Sequence, residues 1–474
     1  MVNTYLGNKG YSIYKNTISI KEQNYIRKEL TVKPYVPKTS MTTSAEFPIY
    51  RESNEKLYVP RFFGNNLYGI PDEIRIQPGK DISLNFVGKL MDFQLPIIDS
   101  YLKAAHEKGG GLLEVGCGCG KTVMALNIIS VLKKKTLIMV HKEFLLEQWI
   151  ERISQFLPDA KVGKIQGQII DIDDKDIVIG MIQSLSMKSY PTSVFDEFGL
   201  TVIDETHHIA AEVFSNSLFH IVSPYMLGLS ATMVRKDGLS KVFKLFIGEV
   251  VYKLKRDNTD PVTVKALHYK NTDEEFSETV LNFKGQTHYS IMIKKICEFN
   301  PRSEFILKAL QETLKDPLNK QIMILAHNKN LLSYLFKAIE HRNMGSVGFY
   351  IGGMKQKDLK TSESKRIILA TYAMAEEALD IKTLTALIMA TPKTDVTQAV
   401  GRILREKHEN PMVIDIVDQH DVFIKQWKKR KTFYNKCKYK IQEYDGNNVI
   451  VKEDKQEDNN PLKKGKCLIK IDTT

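Results

Sequence analysis

The residues with the clearest chemical potential form a glycine-rich turn from Gly116 to Thr122. Glycines let several backbone N–H groups converge on a phosphate, and the positive end of a following helix strengthens that binding. Lys121 would reach the β- and γ-phosphates, and the Thr122 hydroxyl would bind Mg²⁺. Val115 occupies the first glycine position of the full phosphate-loop pattern, so a plain turn between a strand and a helix is the alternative for this motif alone. The residues predicted to bind ATP here are Gly118, Cys119, Gly120, Lys121 and Thr122.

Two adjacent carboxylates follow an apolar run further along the chain. The run from Leu200 to Ile203 leads into Asp204 and Glu205, the first of them 83 residues after Lys121. At the C-terminal end of a strand, Asp204 can hold Mg²⁺ through water, and Glu205 can orient and deprotonate an attacking water. Together with the phosphate turn, this pair predicts ATP hydrolysis.

Short β-branched apolar runs predict the elements that position these groups. The predicted strands are 136–140, 176–180 and 200–203 in the first half, and 321–325, 366–370 and 386–390 in the second. Charged or turn residues bound each run, as expected for parallel strands covered on both faces by helices. The sequence therefore predicts an α/β protein with two consecutive domains, each built on a mostly parallel sheet.

Changes in composition divide the chain further. The predicted parts are a small N-terminal module (1–85), an ATP-binding domain (86–255), a connector or insertion (256–290), a second α/β domain (291–424), and a basic extension with a mobile tail (425–474). Within the module, the stretch from Tyr58 to Gly64 suggests strands or turns.

The basic extension has two interpretations. From Lys425 to Lys440 there are eight lysines or arginines and no acid, interleaved with aromatic residues such as Trp427 and Tyr434. Cations offset phosphate charge and rings can stack on unpaired bases, which favours a nucleic-acid contact. A solvated basic helix is the alternative.

Bulk composition agrees with a folded nucleic-acid-binding protein. The chain has 474 residues, 43% hydrophobic and 26% charged, enough for roughly two to four domains. Its net charge of +12 favours polyanionic partners. The five cysteines form no repeated pair, so neither a disulfide framework nor a zinc site is expected. No leader-like start or membrane-length apolar run is present, and an intracellular, soluble protein with no membrane partner is expected.

The motifs, with further blocks in the same order, resemble the superfamily 2 DExH helicases. Asp204 to His207 resembles the DExH box, Gly228 to Thr232 the Ser-Ala-Thr block, and Gln398 to Arg405 the block Q-x-x-G-R-x-x-R. The resemblance covers about residues 90 to 415. It implies two tandem RecA-like domains, and Mg-ATP bound in the cleft between them.

The resemblance also implies roles for particular residues. Gln94, 27 residues before Lys121, would read the adenine edge. The second domain would supply Gln398, Arg402 and Arg405, with both arginines on one helix face reaching the γ-phosphate. The coupling residues would be His207, Ser230, Thr232 and Asp380. The nucleic-acid contacts would be His141, Lys142, Gln148, Gln183, Arg235 and Thr371.

Within the superfamily, the loop after the Ser-Ala-Thr block narrows the choice. Arg235 to Asp237 looks like the Arg-Glu-Asp loop of the XPB-like DNA helicases and translocases, with Lys236 in place of glutamate. The chain also resembles helicases of large DNA viruses, including the poxvirus transcript-release type. The DEAD-box RNA helicases fit less well, because His207 stands where they have aspartate. Ala378 and Ala399 are further departures, at positions where glycine and arginine are usual.

The expected function is that of an ATP-dependent helicase or translocase, with DNA favoured as its substrate. The alternatives are a duplex translocase or transcript-release factor without strand separation, an RNA helicase, the motor subunit of a restriction nuclease, and a non-enzymatic nucleic-acid-binding subunit. ATP and Mg²⁺ are the expected cofactors. Proteins of transcription or replication complexes are candidate partners beside the nucleic acid.

Overall fold

The computed structural model divides the chain into two compact units, Met1–Asp257 and Asn258–Thr474. An eight-stranded sheet forms the centre of each unit. The structure describes residues 2–35, 45–116, 118–188, 190–205, 211–233, 237–254, 261–378, 381–403, 408–445 and 448–449.

The first unit contains fifteen strands and eight α-helices within its described residues. Its strands are β1 (Thr4–Gly7), β2 (Gly10–Tyr14), β3 (Thr31–Val32), β4 (Phe47–Pro48), β5 (Arg51–Glu52), β6 (Lys56–Val59), β7 (Glu73–Ile74), β8 (Gly110–Val115), β9 (Thr136–Val140), β10 (Val162–Gln166), β11 (Ile169–Asp171), β12 (Ile177–Met181), β13 (Leu200–Ile203), β14 (Tyr225–Ser230) and β15 (Val250–Leu254). Its helices are α1 (Ile20–Glu29), α2 (Arg61–Tyr68), α3 (Leu95–Lys108), α4 (Lys121–Leu132), α5 (Glu143–Phe156), α6 (Ile182–Met187), α7 (Ala211–Leu218) and α8 (Ser240–Ile247). Short 3-10 turns cover Lys15–Thr17, Asp92–Gln94 and Thr192–Val194.

The large sheet of the first unit has the order β11-β10-β12-β9-β13-β14-β8-β15. Seven of these strands run parallel, and only β11 is antiparallel to its neighbour. The predicted runs 136–140 and 200–203 coincide with β9 and β13, and the run 176–180 differs from β12 by one residue. The carboxyl ends of β8, β13 and β14 therefore lie along one edge, where ligands bind in open parallel sheets.

Both faces of this sheet are apolar, which explains why the strands read as continuous hydrophobic runs. Leu137 and Met139 of β9 belong to one core, and Ile138 and Val140 belong to the core on the opposite face. Side chains alternate across a strand, so a parallel strand covered on both faces buries every residue.

The sequence predicted a separate N-terminal module, but in the structure this segment packs against the large sheet of the first unit. Its small sheet, β5-β6-β2-β1-β7, buries Tyr11 and Ile13 in the same core as one face of the large sheet. Arg61 donates hydrogen bonds to the backbone carbonyls of Ser223 and Pro224, and its burial lowers the pKa of the guanidinium to about 10. Within the stretch from Tyr58 to Gly64, the predicted strand is present as the end of β6, but α2 begins at Arg61 and replaces the strands or turns expected after it.

The second unit contains eight strands and eight α-helices within its described residues. Its strands are β16 (Thr263–Tyr269), β17 (Ile322–Ala326), β18 (Val347–Tyr350), β19 (Ile367–Thr371), β20 (Ala386–Met389), β21 (Met412–Asp418), β22 (Lys440–Asp445) and β23 (Asn448–Val449). Its helices are α9 (Glu274–Ser277), α10 (Tyr289–Glu298), α11 (Asn300–Lys315), α12 (Lys329–His341), α13 (Gln356–Glu363), α14 (Tyr372–Ala378), α15 (Thr397–Val400) and α16 (Asp421–Lys436). In the described part of the whole chain, no helix is both long and apolar enough to cross a membrane.

The second sheet has the order β18-β19-β17-β20-β21-β16-β22-β23 and is parallel except for β23. The three runs predicted in this half match β17, β19 and β20 to within one residue. Strand β16 lies inside the predicted connector and pairs with β21 and β22, so part of that segment belongs to the sheet. The sequence pattern missed β16 because charged and polar residues interrupt its apolar run.

Helix α16 corrects one interpretation of the basic extension. Trp427 and Tyr434 are 4% and 0% exposed, so their rings are packed into the second unit and cannot stack on bases. The helix presents four of its five lysines to solvent on the opposite face, and Lys431 pairs with Glu443. A helix places residues three and four apart on one side, and α16 therefore combines an aromatic inner face with a basic outer face. The exposed lysines are Lys425, Lys428, Lys429 and Lys436.

Candidate active site

The phosphate turn connects the end of β8 to the start of α4. Gly118 and Gly120 have φ angles of 79° and 77°, in the left-handed region that suits glycine. Val115 is the last residue of β8 and is fully buried. The valine fits because strand geometry continues through the position where the full motif has glycine. Helix α4 begins at Lys121 and places Thr122 in its first turn.

Gln94 holds the phosphate turn from the side. Its Nε2 donates to the backbone carbonyl of Cys119 at 3.1 Å, and its Oε1 accepts from the backbone N–H of Met91 at 2.9 Å. A Cβ atom at Gly120 would lie 2.4 Å from Gln94 Nε2, so this glycine allows the close approach. Gln94 is thus placed beside the ATP-binding turn, and its role at the adenine edge stays a prediction.

The two carboxylates lie where β13 ends and the backbone bends. The backbone N–H of Asp204 donates to the carbonyl of Met139, which continues the ladder to β9. Glu205 has a φ of 49°, a left-handed conformation that costs a non-glycine residue about 1 kcal/mol. Its N–H donates to Asp204 Oδ1 at 2.9 Å, which stabilises the bend. Such strained residues are concentrated at functional sites.

Lys121 and Glu205 form an ion pair. The distance from Lys121 Nζ to Glu205 Oε1 is 3.0 Å, and the two side chains are only 11% and 21% exposed. The lysine predicted to bind phosphates and the carboxylate predicted to activate water are therefore in direct contact, although 84 residues separate them.

Asp204 is buried and accepts hydrogen bonds on both oxygens. Burial and the neighbouring charge of Glu205 raise the pKa of Asp204 to about 6, although the Lys121 ammonium and a hydrogen bond from Trp149 oppose that rise. Trp149 Nε1 donates to Asp204 Oδ2 at 3.0 Å. Sequence reasoning did not assign this contact. The available signal was that a buried tryptophan on α5 needs an acceptor for its indole N–H.

The Ser-Ala-Thr block ends β14, which lies between β13 and β8 in the sheet. Ser230 is fully buried. Its hydroxyl donates to the carbonyl of Thr232 at 2.6 Å and accepts from the N–H of the same residue at 3.3 Å. The block thus forms a compact turn next to both the phosphate turn and the carboxylates, and its coupling role stays a prediction.

Three of the predicted nucleic-acid contacts are neighbours at the same edge of the sheet. His141 and Lys142 follow β9, and Gln183 follows the adjacent β12. Gln183 Nε2 donates to the carbonyl of His141 at 2.8 Å, which fixes the start of α6 relative to the loop after β9. Gln148 lies on α5 and is half-buried. The structure brings His141, Lys142 and Gln183 together, and the contact of all four residues with nucleic acid stays a prediction.

The predicted residues of the second unit follow two strands of its sheet. Thr371 ends β19, and Gln398 lies in α15. Helix α15 ends at Val400, so Arg402 lies in a turn after the helix, where its N–H donates to the carbonyl of Ala399. Arg402 is 5% exposed and Ala399 is fully buried. Because Arg405 lies outside the described residues, the helix face shared by the two arginines stays a prediction.

Four of the predicted site residues lie outside the described residues, and their placement is not tested. They are His207, Arg235, Asp380 and Arg405.

Comparison with known proteins places this site in a family. The family model described as "Type III restriction enzyme, res subunit" matches residues 88–235, which include the phosphate turn and both carboxylates. "Putative ATP-dependent RNA helicase L396" of Acanthamoeba polyphaga mimivirus is 37% identical over 452 residues, 92% of this chain and 86% of that protein.

Two further relatives are more distant. "Putative helicase 161L" of Invertebrate iridescent virus 6 is 24% identical over 398 residues, 81% of this chain and 88% of that protein. "DNA 3'-5' translocase XPB2" of Sulfurisphaera tokodaii is 27% identical over 369 residues, 69% of this chain and 81% of that protein.

The fold and the relatives agree on a class of protein. The chain has two mostly parallel β-sheets, a phosphate-binding turn, and an Asp-Glu pair at the end of a strand. With these relatives, the features define an ATP-hydrolysing helicase or translocase that binds nucleic acid. The chain belongs to the superfamily 2 DExH helicases, among the helicases of large DNA viruses and the relatives of XPB.

Proposed function

We propose that the chain is a DNA-directed motor that couples hydrolysis of Mg-ATP to movement along the nucleic acid. The contact between Lys121 and Glu205 carries this proposal, because it joins a phosphate-binding cation to a base at one edge of the sheet. The residues of the ATP site and of the nucleic-acid path are part of the proposal.

The hydrolytic step uses Glu205 as the general base. A water oxygen bonds to the γ-phosphorus, the bond from that phosphorus to the β–γ bridging oxygen breaks, and Glu205 takes the proton of the water. Lys121 moves from Glu205 to the phosphate oxygens when ATP binds, which leaves the carboxylate available to the water. ADP and inorganic phosphate are the products.

The residues around Asp204 fit a magnesium ion. A hydroxyl at Thr122 and a carboxylate at Asp204 are hard oxygen ligands of the kind that Mg²⁺ prefers. Each Asp204 oxygen accepts one hydrogen bond, which leaves lone pairs for contact through water. When bound, the ion would neutralise charge on the β- and γ-phosphates.

The second unit is proposed to supply further groups to the ATP site. Arg402, with Gln398 and Arg405, would supply donors to the γ-phosphate as negative charge shifts during cleavage. Release of the products would let the domains separate, and alternate grip on the backbone would give net stepping. The residues proposed to hold the nucleic acid are His141, Lys142, Gln148, Gln183, Arg235 and Thr371. Those proposed to couple the two sites are His207, Ser230, Thr232 and Asp380.

DNA is the proposed substrate, and RNA is the second candidate. The XPB2 relative is named a DNA translocase, and the Arg235 to Asp237 loop resembles that of XPB-like enzymes, which supports DNA. The mimivirus relative is named an RNA helicase, which supports RNA. The rate of ATP hydrolysis with single- and double-stranded DNA and RNA tests the choice. Stronger stimulation by either form of RNA than by both forms of DNA would overturn the proposal for DNA.

Movement and strand separation need separate assays. Displacement of a triplex-forming strand reports translocation along a duplex, whereas displacement of a base-paired strand reports unwinding. Triplex displacement alone would identify a duplex translocase or a transcript-release type of motor. No stimulation of ATP hydrolysis by any nucleic acid would contradict the proposed motor.

A further inference from the structure

Four consecutive backbone carbonyls in the second unit each accept a hydrogen bond from a side chain on a different helix. The carbonyls belong to residues 390–393, here called the clamped segment, which follows β20. The donors are Arg302 of α11 to Ala390 at 2.8 Å, Tyr372 of α14 to Thr391 at 2.7 Å, Tyr289 of α10 to Pro392 at 3.3 Å, and Arg430 of α16 to Lys393 at 2.8 Å. Loop carbonyls are more often solvated, so this arrangement fixes the segment unusually well.

Buried ion pairs hold the two arginine donors in place. Arg302 forms a two-point contact with Asp418, and both side chains are fully buried. Arg430 forms a two-point contact with Asp415 at 2.7 and 2.8 Å, and both are 1% exposed. Burial lowers the pKa of each guanidinium, but the adjacent carboxylate raises the pKa more, so both arginines remain charged. A bidentate pair with a carboxylate fixes the plane of each guanidinium, so the remaining N–H donors point in a fixed direction.

The clamped segment also contacts the residue that follows the predicted nucleic-acid contact Thr371. Tyr372 donates to the Thr391 carbonyl and lies under the Lys393 ammonium, whose Nζ is 4.9 Å from the ring centroid. The Thr391 hydroxyl accepts from the backbone N–H of His327 at 3.0 Å. The end of β19 and the segment after β20 are therefore joined through side chains as well as through the sheet.

The clamped segment leads directly to the predicted arginine of the ATP site. Helix α15 begins at Thr397, four residues after Lys393, and Arg402 follows in the turn that ends it. A side chain that acts on a transferring phosphate must be held within about 0.5 Å of its working position. A short helix of four residues cannot supply that precision by itself, because most helical stability comes from packing.

We infer that the four donor side chains position Arg402 through the clamped segment. These positioning residues are Tyr289, Arg302, Tyr372 and Arg430. The inference rests on the proposed role of Arg402 in ATP hydrolysis. It assigns the inner face of α16, part of the predicted basic extension, to the ATPase mechanism through Arg430.

Removal of single hydroxyl donors tests the inference with little risk to folding. Tyr289→Phe and Tyr372→Phe each delete one donor to the clamped segment. Each should lower kcat for nucleic-acid-stimulated ATP hydrolysis roughly three- to tenfold, with the ATP KM within about twofold. Tyr334→Phe is the matched control, because Tyr334 and Tyr289 are both 37% exposed and the Tyr334 hydroxyl donates to Glu304, away from the segment.

A double substitution separates positioning from general stability. If Tyr289 acts through Arg402, then Tyr289→Phe should have no further effect on kcat in an Arg402→Lys background. Equal losses of kcat in both backgrounds would overturn the inference. So would an unchanged kcat in both tyrosine variants, or a lowered unfolding midpoint that fully accounts for the loss.

A double variant tests the arginine donor. Asp415→Asn combined with Arg430→Gln removes the donor to Lys393 without leaving a buried charge, whereas Asp415→Asn alone would leave Arg430 buried without the ion pair that holds it in place. The double variant should show the drop in kcat, and a normal kcat in a folded double variant would contradict the role of Arg430. If Arg402→Lys itself leaves hydrolysis unchanged, then the proposed function of Arg402 fails, whatever the clamp variants show.

Discussion

Lys121 Nζ lies 3.0 Å from Glu205 Oε1, and the first unit alone creates this contact. Helix α4 supplies the lysine in its first turn, and the bend after β13 supplies the carboxylate. Because Glu205 adopts a left-handed backbone conformation, its side chain leaves the line of the strand and meets the lysine. The groups proposed for phosphate binding and for water activation are therefore in contact within the first unit.

Glu205→Gln should abolish turnover and leave ATP binding intact. The amide keeps the size of the side chain but cannot accept the proton of the attacking water, so kcat should fall about a hundredfold or more. Phosphate release and fluorescent-nucleotide binding would be measured together, with Glu212→Gln on the exposed side of α7 as the control. Normal hydrolysis in the Glu205 variant would show that another base acts.

Trp149→Phe should weaken the binding of Mg²⁺ at the ATP site. The change keeps an aromatic ring in the core and removes the only indole donor to buried Asp204 among the described residues. A partner behind a metal ligand typically contributes tenfold or more to metal affinity, so the Mg²⁺ concentration for half-maximal ATPase activity should rise roughly tenfold. Unfolding free energy should fall by roughly 1–3 kcal/mol.

Trp427→Phe is the matched control for that experiment. Trp427 is the other tryptophan of the chain and is also buried, but it lies on α16 of the second unit. It should lower stability without a change in Mg²⁺ dependence. An unchanged Mg²⁺ requirement in Trp149→Phe would show that Asp204 does not depend on this hydrogen bond.

Low pH should lower the free energy of unfolding through a histidine that contacts the N-terminal module. Burial, and secondarily the charge of Arg51, lower the pKa of His220, which contacts Arg51 Nη2 at 3.2 Å. The unfolded chain therefore binds a proton at this histidine more readily than the folded chain does, and stability falls as pH drops below about 6.5. Denaturant unfolding at pH 7.5 and pH 5.5 should show a smaller loss in His220→Gln than in the wild type. The exposed His341→Gln should behave as the wild type does, and an identical loss in all three proteins would contradict the prediction.

The exposed lysines of α16 remain candidates for contact with nucleic-acid phosphates, although Trp427 and Tyr434 are buried. If the face contacts phosphates, replacing its four lysines with glutamine should reduce the salt dependence of DNA binding by up to about three in the log–log slope. A solvated face predicts no change in the slope. Among the described residues, none of these four lysines takes part in an ion pair, so the replacements leave no unpaired acid there. The four are Lys425, Lys428, Lys429 and Lys436.

A matched set of exposed lysines controls for the change in net charge. These lie on α11 and α12 or between them, in the same unit. Replacing these control lysines with glutamine should alter the net charge by the same amount and leave a phosphate contact at α16 intact. Equal effects of both sets would show that only the overall charge matters. The control positions are Lys308, Lys315, Lys320 and Lys337.

Much of the chemistry could be predicted because it depends on residues that are close in sequence. The glycines that open the phosphate turn, Lys121 after them, and the apolar run before Asp204 are each local patterns. Hydrophobic runs of strand length fixed the parallel sheets in the same way, since a strand buried on both faces must be apolar throughout.

Only the tertiary structure decided the contacts between distant segments. Sequence patterns did not reveal that Trp149 holds Asp204 or that Gln94 holds Cys119. They also could not show that Arg430 of the basic helix α16 faces inward to Asp415 and the clamped segment. A local pattern records which residues can form a strand, a helix or a turn. Which side chains meet across those elements depends on how the sheet orders its strands and on which helix face is buried, and both are set by packing of the whole unit.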